Sequence, residues 1–370
     1  MNNRLRQIIK NCLPYGFVIS RRRNNFLKDY DAWKNAGNKN ITFNTTCHFK
    51  NFVTIDGYGF SGSSAVMDLL REYSNCTVWA TKPSFTKNTF HDTANGIFGE
   101  FDICRHTGGL LFLEYLMRPE AWVNDFWADA AVKDFINVAY YSDVYQQYPE
   151  TRPIFFSFFD TIIYLRKKSD LPLMNIWRNN FQEDKDCFIL QRMTQGEYQV
   201  LCRHFLYTLF NTLFKDVKNE DTLVLDHIFG DCGNDMARFE PYLPGIKRII
   251  VDRDVRAVYV HACKKNIRWI AHDSIEDFAK WERKMHYKDG ECDKLTTLEI
   301  QFEHLVNNYE KDVTKIERFL NISPEQHIYP RQVFDPDISS KNVSAWKQEK
   351  VYANDCEKLQ KIMPEYCYGE

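Results

Sequence analysis

Residues 51–73 carry the pattern that most constrains the fold of this chain: a short apolar run, a glycine-rich turn and then a helical repeat. The run at 52–55 predicts a buried strand, because it is short, apolar and β-branched and is closed by a carboxylate. The turn that follows contains Gly57, Gly59 and Gly62, so no side chain has to cover the backbone N–H groups there. From Ser63 onward the apolar residues recur at helical spacing.

A strand, a glycine-rich turn and a helix N-terminus together predict an anion site, because unpaired N–H groups and the positive end of the helix dipole meet at one point. Ser61, Ser63 and Ser64 add hydroxyl donors at that point. The spacing Gly57-x4-Gly62 matches a phosphate loop, but Ser63 occupies the lysine position, which disfavours a nucleoside triphosphatase. The alternative is an ordinary strand-to-helix turn whose small residues serve packing.

Short apolar runs alternate with helical segments along the chain and predict an α/β fold with a parallel sheet flanked by helices. Further strands are predicted at 222–226, 248–251 and 298–302. Residues 119–215 are rich in aromatics and predict a helical insertion that forms a lid or a substrate wall. The predicted organisation is a basic N-terminal helix and connection at 1–50, one α/β domain at 51–350 that contains the insertion, and a C-terminal helix and tail at 351–370.

Charge and cysteine content limit the class of protein. The net charge of -2 argues against a nucleic-acid-binding coat, so no nucleic-acid partner is expected. The eleven cysteines form no CxxC pair and no zinc-like spacing, which favours a reducing compartment and predicts no metal site. With no clean signal peptide in the first 30 residues, a cytoplasmic location is expected. The basic, amphipathic residues 1–23 predict either peripheral contact with the inner membrane surface or a helix docked on its own domain.

Four stretches, in this order, resemble the sulfotransferase family that uses 3′-phosphoadenosine 5′-phosphosulfate. GYGFSGSSA (57–65) resembles the family's 5′-phosphosulfate loop, and IIVDRDVRAVYVHA (249–262) is similar to its 3′-phosphate segment. The stretch at 298–322, LEIQFEHLVNNYEKDVTKIERFLNI, resembles the family's strand and helix near the C-terminus, and SSKNVSAWK (339–347) is similar to its tail loop. A bacterial-type carbohydrate sulfotransferase is the variety suggested.

The resemblance implies the residues that bind the donor nucleotide. Residues 61–64 would hold the 5′-phosphosulfate through their N–H groups and the serine hydroxyls, with Gly59 and Gly62 shaping the turn. Arg253 would pair with the 3′-phosphate, for which its planar fork is suited. The family has a serine eight positions after this arginine, and here that position is His261. His261 is therefore either a second donor or a plain helix residue, and Lys341 is the implied tail lysine.

Other side chains near these motifs have two interpretations each. Arg256 is expected on the exposed helix face, with an auxiliary phosphate role as the alternative. Trp79 and Trp346 are candidates for stacking on adenine or are core residues. Asp226 and His227 follow a predicted strand and either point into the same crevice or, for Asp226, cap the next helix.

One residue departs from the family pattern in a way that affects catalysis. The family often has Lys or Arg just before the serine of the first loop, and here that position is Phe60. A phenylalanine cannot donate to the charge that develops as sulfate leaves, so another cation has to do so, and Arg105, Lys82 and Lys87 are the candidates. The family's general base is a His or a Glu after this loop. Glu100 is the first choice, with an ion pair to Arg105 as the alternative interpretation, and His106 and His91 follow.

Together these features predict an enzyme that transfers a sulfuryl group from 3′-phosphoadenosine 5′-phosphosulfate to a hydroxyl, without a metal. The expected acceptor is a glycan or a lipid-linked oligosaccharide, because aromatic faces stack on sugar rings. Two alternatives remain open: a phosphate-loop phosphotransferase, which the serine at position 63 disfavours, and a non-catalytic nucleotide-binding relative, which Phe60 favours.

Overall fold

The computed structural model describes residues 15–79, 110–118, 125–168, 186–217, 221–228, 236–267, 269–286 and 293–369. Contacts between Cα atoms divide the chain into two compact units, Met1–His48 with Ile97–Asp216, and Phe49–Gly96 with Val217–Glu370. We call them the helical unit and the sheet unit. The organisation as one domain at 51–350 stays a prediction.

The strands of the described residues, numbered in chain order, form two sheets. A five-stranded parallel sheet forms the centre of the sheet unit, in the order β2-β5-β1-β6-β7, and β3 pairs with β4 in an antiparallel hairpin of the helical unit. The bounds are β1 Asn51–Gly57, β2 Cys76–Val78, β3 Ile163–Lys168, β4 Asp186–Leu190, β5 Thr222–Asp226, β6 Lys247–Asp252 and β7 Thr297–Gln301.

The α-helices of the described residues surround the sheet in one unit and pack on one another in the other. Their bounds are α1 Tyr15–Asn35, α2 Ser63–Leu70, α3 Leu110–Met117, α4 Asp125–Tyr141, α5 Asp143–Gln147, α6 Arg152–Ile162, α7 Gln195–Leu213, α8 Val255–Lys265, α9 Ile275–His286, α10 Phe302–Asn307, α11 Tyr309–Leu320, α12 Pro336–Ser339 and α13 Ala353–Ile362.

The central strand β1 organises the sheet unit. Its residues Phe52 to Asp56 are all buried, and it pairs in parallel with β5 on one side and β6 on the other. Helix α2 packs Val66, Leu69 and Leu70 against this sheet, together with residues of α10 and α11. The predicted α/β fold with a parallel sheet is confirmed, and the glycine turn lies where β1 ends at the carboxyl edge of the sheet.

The helical unit differs from the sequence prediction in two places. Within the predicted N-terminal helix and connection at 1–50, helix α1 extends to Asn35, further than the basic segment at 1–23; Phe26, Leu27 and Tyr30 form its buried face. The described residues of the range 119–215 are mostly helical, but they also contain the hairpin β3–β4. The burial of β3 does not alternate between residues, so its sequence lacks the period-two pattern that predicts a strand. Within the described parts of the chain, no helix is both long and apolar enough to cross a bilayer.

Candidate functional site

The turn after β1 has the backbone geometry of an anion loop. Gly59, Phe60 and Gly62 all have positive φ, at 93°, 53° and 92°. Gly62 is the N-cap of α2 and provides no side-chain bond to the first turn, so the N–H groups there point out of the helix end. An added Cβ at Gly62 would lie 2.7 Å from the ring of Phe302, so this glycine is required both by its backbone angle and by space.

The three serines of the loop have different surroundings. Ser61 is buried, and its hydroxyl lies against Gly57, where an added Cβ would be only 2.1 Å from Oγ. Ser63 is half-buried and Ser64 is exposed, both in the first turn of α2. Ser63 and Ser64 are therefore the serines placed at the open helix end, and Ser61 packs inside the turn.

Arg253 follows β6 and connects the loop to the C-terminal tail. Its Nη1 donates to the carbonyl oxygen of Phe60 at 3.3 Å, and its Nη2 donates to the carbonyl oxygen of Asn342 at 2.8 Å. Its Nε has no hydrogen-bond partner among the described residues and lies 4.0 Å from the carboxylate of Glu303. The guanidinium lies over the Phe302 ring, 5.0 Å from its centroid. Burial lowers the pKa of Arg253, opposed by Glu303 and Asp254, but an arginine stays charged.

Phe60 and His261 form a pair beside Arg253. The centroids of the two rings lie 4.5 Å apart, and the ring of Phe60 also stacks on that of Trp269, with centroids 5.6 Å apart. Burial lowers the pKa of His261, as do the positive charges of Arg253, Lys265 and Lys264. The imidazole is therefore neutral at pH 7, and a bound anion would favour its protonated form.

Arg256, expected on the exposed helix face, is almost completely buried instead. It forms a bidentate ion pair with Asp254, the N-cap of α8, with Nη2 2.7 Å from Oδ2. Its guanidinium also lies 4.1 Å from the Trp346 ring, so that tryptophan covers an arginine in this structure. Trp79 is buried at the end of β2, as its core interpretation predicts.

Asp226 and His227 form a second polar group, at the end of β5. The carboxylate of Asp226 bonds to Nδ1 of His227, and the backbone N–H of His227 donates to the carbonyl of Ile55 in β1 at 3.0 Å. This bond makes Nδ1 the protonated nitrogen and Nε2 the basic one. His227 also has a positive φ of 46°, a strained conformation typical of functional positions. On the sequence alone, a position in the crevice is one of two interpretations of this pair, and Glu100 is the first choice for the general base.

The structure brings together most of the predicted donor-binding residues. Arg253 contacts the loop, His261 contacts Phe60, and the exposed Lys341 adjoins the carbonyl that Arg253 binds. The remaining candidates lie outside the described residues, so their catalytic roles stay predictions: Glu100, Arg105, His106, His91, Lys82 and Lys87. Among the residues that the structure describes, no group of three or more His, Cys, Asp or Glu side chains is arranged to hold a metal ion.

Comparison with known proteins found sulfotransferases among solved structures. The sulfotransferase domain of the Synechococcus PCC 7002 olefin synthase is 13% identical with a TM-score of 0.37, covering 88% of this chain and 98% of that one. STF1 from Mycobacterium tuberculosis H37Rv is 11% identical (TM-score 0.34, 88% and 81% covered), and STF9 from Mycobacterium avium is 10% identical (TM-score 0.34, 92% and 82% covered).

Neither a family model nor a curated protein matched this chain. At identities of 10–13% and TM-scores of 0.34–0.37, the similarity to these sulfotransferases carries no argument about the fold or the function of this chain.

Proposed function

We propose that this protein is a sulfotransferase that moves a sulfuryl group from 3′-phosphoadenosine 5′-phosphosulfate to a hydroxyl group of a glycan or lipid-linked glycan. The proposal combines the motif resemblance with the layout of charged and basic groups at the carboxyl edge of the sheet. Open parallel sheets bind ligands at this edge.

The order of the strand ends is the observation that carries the proposal. The loop follows β1, the pair of Asp226 and His227 follows β5 on one side, and Arg253 follows β6 on the other. Adjacent strands are about 4.8 Å apart. The pair of Asp226 and His227 and the arginine therefore lie on opposite sides of the loop, about 10 Å from each other. An in-line transfer needs its acceptor and its leaving group on opposite sides of the moving group, and this layout provides two such sides.

The residues on the β6 side fit the phosphates of the donor. Arg253 donates two hydrogen bonds to backbone carbonyls, and its buried Nε has no hydrogen-bond partner among the described residues. A phosphate is a stronger, charge-assisted acceptor than a carbonyl and matches the guanidinium fork. When bound, the donor nucleotide would supply the activated sulfuryl group and a phosphate leaving group.

On the β5 side, His227 is our choice for the general base. Asp226 fixes its tautomer, so that Nε2 would accept the proton of the acceptor hydroxyl and the carboxylate would stabilise the resulting imidazolium. Sulfuryl transfer requires little other covalent help from the protein, since charge neutralisation and positioning dominate such transfers.

The leaving group needs a positive partner that Phe60 cannot provide. Among the described residues, Arg253 and the first-turn N–H groups of α2 occupy this side of the loop, and His261 becomes protonated more readily once an anion neutralises its cationic neighbours. The expected transition-state stabilisation from one such donor is about 3 kcal/mol.

The proposed acceptor, a glycan hydroxyl, is supported by general chemistry and by composition. A sugar hydroxyl meets the requirement for a weakly acidic nucleophile that a histidine can deprotonate, and 15% aromatic residues provide surfaces for sugar rings. The basic segment at 1–23 would suit an acceptor carried on a lipid. Absence of liposome flotation by the full-length chain would remove the lipid-linked variant.

The test is calorimetric titration with 3′-phosphoadenosine 5′-phosphate, beside ATP and adenosine 5′-phosphate. Wild type is compared with Arg253→Ala and with the control Arg318→Ala, which removes an exposed arginine from α11. We expect selective binding of the bisphosphate that Arg253→Ala weakens at least tenfold and the control leaves unchanged. Transfer of labelled sulfate to a glycan would then establish the activity.

Other outcomes identify the alternatives. Equal or tighter binding of ATP with turnover would favour a phosphotransferase. Tight bisphosphate binding without transfer to any glycan would favour a non-catalytic relative.

A further inference from the structure

We propose that Asp252, Glu282 and His286 form a proton-binding cluster behind the anion site, which takes up a proton when a bisphosphate nucleotide binds and which holds the loop and Arg253 in place. This inference rests on the proposed function. It concerns residues that the donor-binding motifs do not include, since two of the three lie on α9.

The cluster is compact, with Glu282 and His286 buried and the side chain of Asp252 29% exposed. Nε2 of His286 is 3.5 Å from Oδ1 of Asp252, an ion-pair contact, and Nδ1 of His286 is 3.8 Å from Oε1 of Glu282. Nδ1 also donates to the backbone carbonyl of Glu282 at 3.0 Å. Glu282 is 1% exposed, and its Oε2 has no hydrogen-bond partner among the described residues. The carboxylate of Glu282 and the imidazole of His286 therefore share a space with little water, and Asp252 lies on its more exposed side.

The cluster contacts both segments that form the anion site. The ring of His286 stacks on Tyr58, the loop residue before Gly59, with centroids 3.7 Å apart. The carboxylate of Asp252 accepts the backbone N–H of Arg253 at 2.7 Å. A change in the charge or position of His286 is thus transmitted directly to the loop and to the start of α8.

Among the described residues, the other groups that contact the cluster supply no compensating buried charge. The Tyr366 ring packs on His286 at 4.4 Å, and Met285 packs with Tyr58 on Ile250. Arg283 of α9 is half-exposed and bonds to Glu365 at the surface. The protonation of the cluster is therefore decided mainly by its own three members.

The pKa of Glu282 and that of His286 are both raised, so the cluster binds protons more readily than the free side chains do. Burial raises the pKa of Glu282 to about 8, with His286 opposing and Asp252 reinforcing the shift. Burial opposes the charged form of His286, but the carboxylates of Asp252 and Glu282 outweigh it and raise the pKa of the ring. With a pKa of about 8, Glu282 is mostly neutral near pH 7, and the raised pKa of His286 favours the charged imidazole beside it. Above about pH 8 the glutamate ionises and adds one negative charge behind an anion site.

This extra charge would repel a phosphate ligand, and the ligand would in turn favour the protonated glutamate. At an effective dielectric constant of about 20, one such charge corresponds to about a tenfold change in affinity. We therefore expect the Kd for the bisphosphate to rise about tenfold between about pH 7 and pH 9 and binding near pH 8 to take up a fraction of a proton.

The experiment measures bisphosphate binding by calorimetry at pH 7, 8 and 9, in pairs of buffers with different ionisation enthalpies. Wild type is compared with Glu282→Gln, which imitates the protonated side chain, and with Glu276→Gln, which removes an exposed carboxylate from the first turn of the same helix. Glu282→Gln should bind as tightly at pH 9 as wild type does at pH 7 and take up less proton at pH 8. Glu276→Gln should behave as wild type.

A second measurement needs no ligand. The free energy of unfolding of wild type should fall relative to that of Glu282→Gln as pH rises from 5 to 8, because a glutamate with a raised pKa loses its contribution as it ionises. Binding at pH 7 with identical pH dependence in the two proteins would overturn the proton linkage alone. Lack of bisphosphate binding by wild type at pH 7 would overturn the proposed function and the linkage with it.

Discussion

Glu72 is the buried carboxylate whose removal should disturb the sheet unit most. Its side chain is fully buried at the end of α2 and accepts hydrogen bonds from one imidazole and several main-chain N–H groups. Nε2 of His327 donates at 2.7 Å, and the N–H groups of Val333, Phe334 and Arg331 donate at 2.8, 2.9 and 3.1 Å. One side chain therefore fixes residues 327–334, a segment otherwise without long secondary structure.

The substitution Glu72→Gln keeps the size of the side chain but replaces one acceptor oxygen by an NH₂ group. Whichever way the amide is oriented, at least two donors then face another donor instead of an oxygen. Hydrogen bonds to a charged group contribute about 1.5–3 kcal/mol each, and a buried donor left without a partner costs about as much as the lost bond. We expect a destabilisation of about 3–6 kcal/mol for two lost bonds.

The assay is urea denaturation, with Glu310→Gln as control because its carboxylate is 81% exposed and pairs only at the surface with Arg331. The control should change the free energy of unfolding by less than about 0.5 kcal/mol. The anchored segment leads into α12 and to Asn342, whose carbonyl Arg253 binds, so Glu72→Gln should also weaken bisphosphate binding. A destabilisation below about 1 kcal/mol would refute the role of Glu72 as an anchor.

Three other substitutions separate catalytic, structural and electrostatic roles. His227→Gln should lower kcat by about 10²–10⁴ and leave the bisphosphate Kd unchanged; a kcat within threefold of wild type would exclude it as the base. Arg256→Ala leaves Asp254 as an unpaired buried charge, so we expect a loss of about 3–5 kcal/mol in urea denaturation, and weaker ligand binding at unchanged stability would contradict the structural role. Because the pKa of His261 is lowered on folding, wild type should lose stability relative to His261→Gln as pH falls below 6.5, and denaturation at pH 5 and 7.5 measures the difference.

The sheet and its central loop were predictable because local sequence determines them. The run 222–226 was assigned its bounds correctly, and 248–251 and 298–302 lie within one residue of β6 and β7. A buried parallel strand appears in the sequence as a short apolar run. Glycines indicate the turn, because they adopt positive φ angles more readily than other residues. The stretch at 298–322, which resembles the family's strand and helix, contains two helices, α10 and α11, that divide at Asn308, a residue whose backbone leaves the helical region.

The errors arose where a distant contact decides the outcome. Residues 24–35 look polar, but the three apolar residues of α1 bury one face of a helix whose other face is charged. Arg256 was expected outside because arginine is usually exposed, and only the fold reveals that Asp254 and Trp346 enclose it. Asp226 and His227 are neighbours in the sequence, so their contact is local. Their place beside the loop, however, depends on the strand order, in which β5 adjoins β1.

The pair of Phe60 and His261 relates the fold to the proposed chemistry. A lysine before Ser61 would carry a permanent charge, whereas here an aromatic residue with a strained φ packs on a neutral imidazole. A positive φ in a bulky residue costs about 1–3 kcal/mol, and Phe60 is 37% exposed, so burial alone does not explain its presence. Its main chain offers a better explanation, because the carbonyl of Phe60 accepts from Arg253 while its ring positions His261. The positive charge on the leaving-group side would then depend on ligand binding, since an anion beside Arg253 raises the pKa of His261 as it arrives.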